Sequence, residues 1–199
     1  MTDILIYGAG AIGSFMGYLL SEGTSDGKGM IYDVGLLGRE KHIEKIKESG
    51  LEIVLPGGAK SIRFRHCFSS LDEFSASSFR PELVMVCVKT YSLPDLCREL
   101  AASGLLEGRL RNAVFVLLMN GMGNRDAFAH LSLPAPHLLE GITAMGVQFS
   151  GEGRVELKGK GRTAIEARLD EGMQKHLRQR LADKGFEVDF PADYAAQQW

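Results

Sequence analysis

Ile4-Leu5-Ile6-Tyr7-Gly8-Ala9-Gly10-Ala11-Ile12-Gly13 is the stretch that decides the fold of this chain. Four apolar residues stopped by a glycine predict a short buried strand. Ile12, Phe15, Met16, Leu19 and Leu20 then recur at helical spacing over residues 11–21. Between strand and helix, glycines at 8, 10 and 13 form G-x-G-x-x-G. That motif is weak alone and gains meaning from a strand before it and a helix after it. Gly8 permits the tight turn, Gly10 lets backbone approach a diphosphate, and Gly13 lets helix and strand pack closely. The helix N-terminus offers unpaired N–H groups and a partial positive charge to an anion. Gly8, Ala9, Gly10, Ala11, Ile12 and Gly13 are therefore the candidate cofactor-binding turn for a dinucleotide. The plainer alternative is a glycine-rich turn with no ligand.

Outward from this turn, strands and helices alternate. A polar glycine-rich loop covers 23–29, a strand 30–37 and a helix 40–49. Strands at 51–55 and 61–65 join through Pro56-Gly57-Gly58. Leu83-Val84-Met85-Val86-Cys87-Val88 is the clearest buried strand, and a helix over 93–102 tolerates Pro94 in its first turn. A strand at 113–118, a short helix at 125–131, and strands at 141–149 and 154–158 paired across 150–153 follow. An amphipathic helix at 170–184 and a strand at 186–190 complete the pattern. This alternation predicts an α/β fold, a Rossmann-type doubly wound, mostly parallel sheet with helices on both faces. Residues 1–190 read as the dinucleotide-binding domain.

Composition narrows the function classes. The 199 residues carry a net charge of −2, with 45% hydrophobic and 24% charged residues. This is ordinary for a folded domain and gives no electrostatic footprint for nucleic acid or a membrane surface. No apolar run approaches the ~20 residues of a bilayer span, and Met1-Thr2-Asp3 does not open a signal peptide. Cys67, Cys87 and Cys97 read as free thiols in a reducing cytoplasm, with Cys87 as core. The sequence lacks H-E-x-x-H and paired C-x-x-C, so no metal site is expected. It also lacks a P-loop and a G-x-S-x-G elbow. Arg154, Lys158, Lys160 and Arg162 read as a solvated sheet edge that discourages strand addition, with anion contact as the alternative.

The second strand indicates which dinucleotide. NAD sites commonly use an acidic residue about 20 positions on, at the carboxyl end of that strand. Asp33 has the right spacing from Gly13, but Val34-Gly35-Leu36-Leu37 continues the strand beyond it. At ~3.3 Å per residue, Asp33 then stands about 20 Å from Arg39, at the wrong end. Arg39, in Gly38-Arg39-Glu40-Lys41, stands at the correct end. A guanidinium matches a 2′-phosphate with paired donors, which favours NADP. Arg39 and Lys41 as solvated loop charges, and Glu40 as a ribose acceptor, are the alternatives.

Gly8–Gly13, Leu37-Gly38-Arg39, Val86-Cys87-Val88-Lys89-Thr90, Asn120-Gly121-Met122-Gly123-Asn124 and Gly159-Lys160-Gly161-Arg162 occur in this order. In this the chain resembles the ketopantoate reductase family over essentially its whole length. The C-V-K-T and N-G-M-G-N segments are more specific than the glycine turn. The resemblance implies NADPH-dependent reduction of 2-dehydropantoate to pantoate, on the route to pantothenate and coenzyme A. It implies an N-terminal Rossmann domain followed by a helical domain, a small-molecule 2-oxo acid as substrate, and allows a homodimer of the full-length protein. It places the 2′-phosphate contact on Arg39, a cofactor-contacting lysine on Lys89, and on Asn120 the asparagine between nicotinamide and substrate. Lys89 and Asn120 also fall at carboxyl ends of predicted strands, where such sites gather. A solvent-facing Lys89 and a helix-capping Asn120 are the alternatives. Val147 stands where the family commonly has alanine near the nicotinamide, so that contact is not carried over, and the 23–29 loop is unusual.

Tyr194-Ala195-Ala196-Gln197-Gln198-Trp199 resembles the opening of the family's second domain, so 191–199 read as its truncated start. The resemblance puts the catalytic lysine beyond Trp199, leaving no catalytic residue in the chain itself. The expectation is a piece of a longer enzyme that binds NADPH and turns over ketopantoate negligibly. Reduction of another 2-oxo acid, or a non-catalytic nucleotide-binding module, are the competing readings.

Overall fold

The structure, a computed structural model, describes residues 3–21, 33–131, 133–134 and 137–194. The 23–29 loop and the segment 195–199 lie outside the described residues. Strand β1 (Ile4–Tyr7) runs into helix α1 (Ala11–Leu20), as the opening motif predicts. Then come β2 (Val34–Leu37), α2 (Glu40–Ser49), β3 (Leu51–Leu55), β4 (Gly58–Ile62), β5 (His66–Phe68) and α3 (Leu71–Ala76). β6 (Leu83–Val86), α4 (Leu93–Ala102), β7 (Val114–Leu118), β8 (Leu138–Thr143), β9 (Gly146–Gly151) and β10 (Arg154–Gly159) follow. β11 (Thr163–Ile165), α5 (Glu171–Asp183) and β12 (Val188–Asp189) complete the described elements.

Eight strands form one sheet in the order β12-β11-β8-β7-β6-β1-β2-β5. All neighbours are parallel except β8 and β11. β1 shows why both faces are covered. Ile4 and Ile6 enter a core shared with Phe15, Met16 and Leu19 of α1 and Leu177 and Leu181 of α5. Leu5 and Tyr7 enter a second core with Phe74 of α3 and Leu93, Leu96 and Leu100 of α4. Alternate side chains of one strand thus feed opposite cores, each fully buried aliphatic contributing about 1.5–3 kcal/mol. The chain winds outward from β1 to β2 and β5, then returns to β6 and β7 on its other side. The resulting crevice opens at the carboxyl ends of β1 and β6.

A second sheet, β4-β3-β10-β9, packs on α1 and α2. It corrects several sequence expectations. The 141–149 segment is not one strand. β8 belongs to the large sheet and β9 to the small one, and the chain crosses over at Ala144 and Met145. Thr143 fixes this crossing: its Oγ1 accepts from the Met145 N–H at 3.3 Å and hydrogen-bonds Thr163 Oγ1 at 3.0 Å. The strand expected at 61–65 spans 58–62, because Leu55 pairs directly with Gly58 across a two-residue turn. β10 lies between β3 and β9, so its basic residues do not guard an edge. Arg154 pairs with Glu52, Lys158 with Glu156, and Arg162 with Glu187.

The helix expected at 125–131 is a 3-10 segment, Asn124–Phe128, entered through Gly123 at φ +76°. The 186–190 strand shortens to Val188–Asp189; of the strand expected at 30–37, residues 30–32 lie outside the described residues and β2 spans Val34–Leu37. β5, α3 and β11 were not expected. For α3 a signal was present: Ser70 Oγ accepts from the Glu73 N–H, and the Glu73 carboxylate accepts from the Ser69 N–H. This is a capping-box exchange shifted by one residue.

Candidate dinucleotide cleft

Gly8 sits at φ +101°, and its N–H and that of Ala9 both donate to the Leu37 carbonyl, at 2.9 and 3.0 Å. The turn is thereby tied to the carboxyl end of β2. A Cβ on Gly13 would lie 2.1 Å from the Gly8 carbonyl oxygen, so only glycine lets α1 start this close to β1. A Cβ on Gly10 would meet nothing within 4 Å, which is the open approach a ligand needs. Gly10 is the N-cap of α1, and no side chain caps it. The first-turn N–H groups have no intrahelical partner by helix geometry, so they remain available to an anion.

These groups border a cleft of about 960 Å³, at the upper end of small-molecule sites. Every predicted site position except Gly13, which packs beneath the turn, lines it. Arg39 follows β2, is exposed, and holds its guanidinium 5.4 Å above the Phe149 ring of β9. It makes no ion pair among the described residues. Lys89 follows β6 as the N-cap of the 3-10 segment Thr90–Ser92, with an exposed side chain. Asn120 follows β7, and its Oδ1 accepts from the Thr143 N–H at 3.3 Å. It caps no helix, since Gly123 occupies the cap of the following segment. Val147, on β9, also lines the cleft.

The far side of the cleft was not anticipated. The Tyr7 hydroxyl donates to Glu99 at 3.4 Å. Burial, reinforced by the Glu99 charge, pushes this phenol well up, so it is a fixed donor. Nothing in the sequence links positions 7 and 99; the parallel pairing of β1 with β6 brings them together. Phe149 was missed for the same reason, because it comes from the other sheet. Burial pushes the Cys87 thiol up to about 12 and the Cys67 thiol up to about 11, so neither is a nucleophile near neutral pH. Asp33 is remote from all of this. It precedes β2 and contacts His66 Nε2 at 3.0 Å. Among the described residues no group of three or more His, Cys, Asp or Glu is placed to hold a metal, and no helix is long and apolar enough to cross a membrane.

Residues 4–169 match the family described as ketopantoate reductase PanE/ApbA. The chain belongs to the ketopantoate reductase family. It is 31% identical over 164 residues to the 2-dehydropantoate 2-reductase of Halobacterium salinarum, covering 81% of this chain and 48% of that one. The PanE/ApbA-family ketopantoate reductase of Ralstonia eutropha JMP134 superposes with a TM-score of 0.78 at 20% identity, over 100% of this chain and 59% of that one. D-mandelate dehydrogenase, solved with NADH and anilino(oxo)acetate, superposes with a TM-score of 0.73 at 23% identity, over 96% of this chain and 57% of that one. These two structures share the fold. The chain spans about half the length of the curated relatives it matches.

Proposed function

We propose that this chain holds NADPH across the cleft, as the dinucleotide-binding part of a protein that reduces 2-dehydropantoate to pantoate. The carrying observation is one rim that combines an uncapped helix N-terminus behind a glycine turn with an arginine that, among the described residues, no carboxylate neutralises. On this reading residues 1–190 are the cofactor domain, and 191–199 begin the rest of a cytoplasmic protein about twice this length.

The residues present fit the cofactor. The first turn of α1 takes the diphosphate on its N–H groups, with Gly10 leaving room. Arg39 takes the 2′-phosphate with paired donors, its flat face held by Phe149. Bound NADPH supplies the hydride. Lys89 places a positive charge at the carboxyl end of β6. Asn120 has its Oδ1 engaged by Thr143, so its amide hydrogens are left to donate to nicotinamide or substrate. The resemblance puts the lysine that completes the alcohol beyond Trp199. The family match favours 2-dehydropantoate over other 2-oxo acids, and a panel of such acids offered to the full-length protein tests that choice.

Fluorescence titration of the chain with NADPH and NADH tests the cofactor. NADPH is expected to bind at least tenfold tighter. Charge-assisted hydrogen bonds of about 1.5–3 kcal/mol imply that Arg39→Ala weakens NADPH by about 10–100-fold and NADH by less than about twofold. A folded chain with no saturable response to NADPH, or with equal affinity for both cofactors, sinks the reading.

A further inference from the structure

One buried polar network touches the cleft without lining it. Ser14 of α1 and His42 of α2 are 0% and 1% exposed. The Gly153 N–H, at the tip of the β9–β10 hairpin, donates to His42 Nδ1 at 2.9 Å. A ring nitrogen that accepts carries no proton, so the hydrogen of this neutral imidazole is on Nε2. That Nε2–H donates to Ser14 Oγ at 2.9 Å, and the Ser14 hydroxyl donates to the Ala9 carbonyl at 3.2 Å. Each bond in the series has one direction. The series runs from the hairpin of the small sheet, through α2, to the second residue of the glycine turn.

The same imidazole packs against Phe149, with 4.9 Å between ring centroids, and Phe149 is the ring beneath Arg39. Two further charges face it. Glu152 Oε2 lies 3.5 Å from Nδ1, and Arg39 acts on it from the start of α2. Burial holds the imidazole below its ordinary value, against the pull of Glu152 and with the help of Arg39. The neutral form is the one the hydrogen bonds require.

We propose that His42 is a positioning residue for cofactor selectivity. Through Nδ1 it seats the hairpin, so that Phe149 presents Arg39 to the 2′-phosphate; through Nε2 and Ser14 it braces the turn that holds the diphosphate. The two nitrogens have separable tasks. The first acts on a group that distinguishes NADPH from NADH, and the second on a group both cofactors share. A histidine that only filled the core would affect both cofactors alike. The inference rests on the assignment of Arg39 to the 2′-phosphate.

The test is the same pair of titrations on three variants of the chain. His42→Asn keeps an acceptor for the Gly153 N–H but is too short for Ser14. His42→Gln reaches toward Ser14 and gives up Nδ1. His42→Phe keeps the ring shape and loses both bonds. His42→Phe is expected to cut the NADPH-over-NADH preference about three- to fivefold, up to the whole worth of the aromatic support beneath Arg39. His42→Asn is expected to keep the preference within about twofold while weakening both cofactors by a common factor of about five, the worth of one ordinary hydrogen bond. His42→Gln is expected to reduce the preference while affecting NADH little. If His42→Phe does not fold, the contrast between the Asn and Gln variants decides. Equal preference in the Asn and Gln variants, or an unchanged preference in His42→Phe, overturns the proposal. A wild-type chain with no preference for NADPH removes the Arg39 assignment and this inference together. A preference lost in Arg39→Ala and kept in His42→Phe removes the inference alone.

Discussion

The two rims of the eight-stranded sheet are built from the same strands and hold their polar groups in opposite ways. At the amino rim, Asp3, Asp33 and Glu82 all give their carbonyls to the ladder: Asp3 accepts from Glu82 and Leu83, Asp33 from Ile4, and Glu82 from Val114. The Asp33 carboxylate is engaged by His66, whose ring stacks on Phe79 at 4.4 Å. At the carboxyl rim, the first turn of α1 is uncapped, Lys89 is exposed, and Arg39 lies over a ring and meets no carboxylate among the described residues. Polar groups that satisfy one another hold a fold together. Polar groups held in place with hydrogen-bonding capacity to spare are what a ligand can use, and Arg39, Lys89 and the first turn of α1 lie together along the carboxyl rim.

The largest effect that could break this contrast comes from Gly13. Alanine there must push against the Gly8 carbonyl at 2.1 Å and Ile6 Cγ2 at 3.0 Å, separating α1 from the turn it serves. Gly13→Ala is expected to weaken both cofactors alike, by more than about 100-fold, since a small misplacement of preorganised donors has large consequences. Overpacking of about 1–3 kcal/mol should lower Tm by roughly 2–10 °C. A folded variant that still binds NADPH normally would show that the helix terminus does not hold the diphosphate.

The carboxyl rim of the large sheet was largely legible, because it is written in local order: an apolar run, then glycines or a charged residue where the run stops. Gly8–Gly13, Arg39, Lys89 and Asn120 each follow a strand at once or within three residues. The helices over 40–49, 93–102 and 170–184 were legible from their patterning, with Pro94 tolerated in the first turn of the second. The small sheet was legible only in pieces: its strands at 51–55 and 154–158 and both of its hairpins were read, but not that they form a sheet of their own. Its parallel contact joins Glu52 to Arg154, about a hundred residues apart, and its strands carry mixed exposure rather than a clean apolar run. The crossing at Ala144 was hidden because 141–149 looks like one strand until Thr143 is seen to bond across to Thr163. Phe149 belongs to that sheet and His42 reaches it only through the Gly153 N–H, so the support beneath Arg39 could not be read from Leu37-Gly38-Arg39.

A smaller effect sharpens the contrast at Phe149. An aromatic face beneath an exposed guanidinium is worth about 0.5–1 kcal/mol, or roughly two- to fivefold. Phe149→Leu keeps apolar bulk and removes the π face. It is expected to weaken NADPH by about threefold in the same titration and to leave NADH unchanged within about twofold. Equal losses for both cofactors would mean that Phe149 supports the cleft generally and not Arg39 in particular.

The smallest expected effect comes from the residue that spacing alone would have chosen. Asp33 lies 20 positions after Gly13, as an acidic ribose ligand would, yet β2 runs between it and the cleft. Asp33→Asn keeps an oxygen that can accept from His66 and removes the charge. Weakening one partly exposed hydrogen bond costs up to about 1 kcal/mol, so Tm should fall by no more than about 4 °C. Both cofactor affinities should stay within about twofold, because four residues of extended strand place the carboxylate about 13 Å or more from the rim where the ribose would lie. The informative arm is NADH, the cofactor an acidic ribose ligand serves. A selective loss of NADH affinity in Asp33→Asn would mean that the ligand reaches the amino rim. In that case the unpaired charge at Arg39 would no longer identify the cofactor.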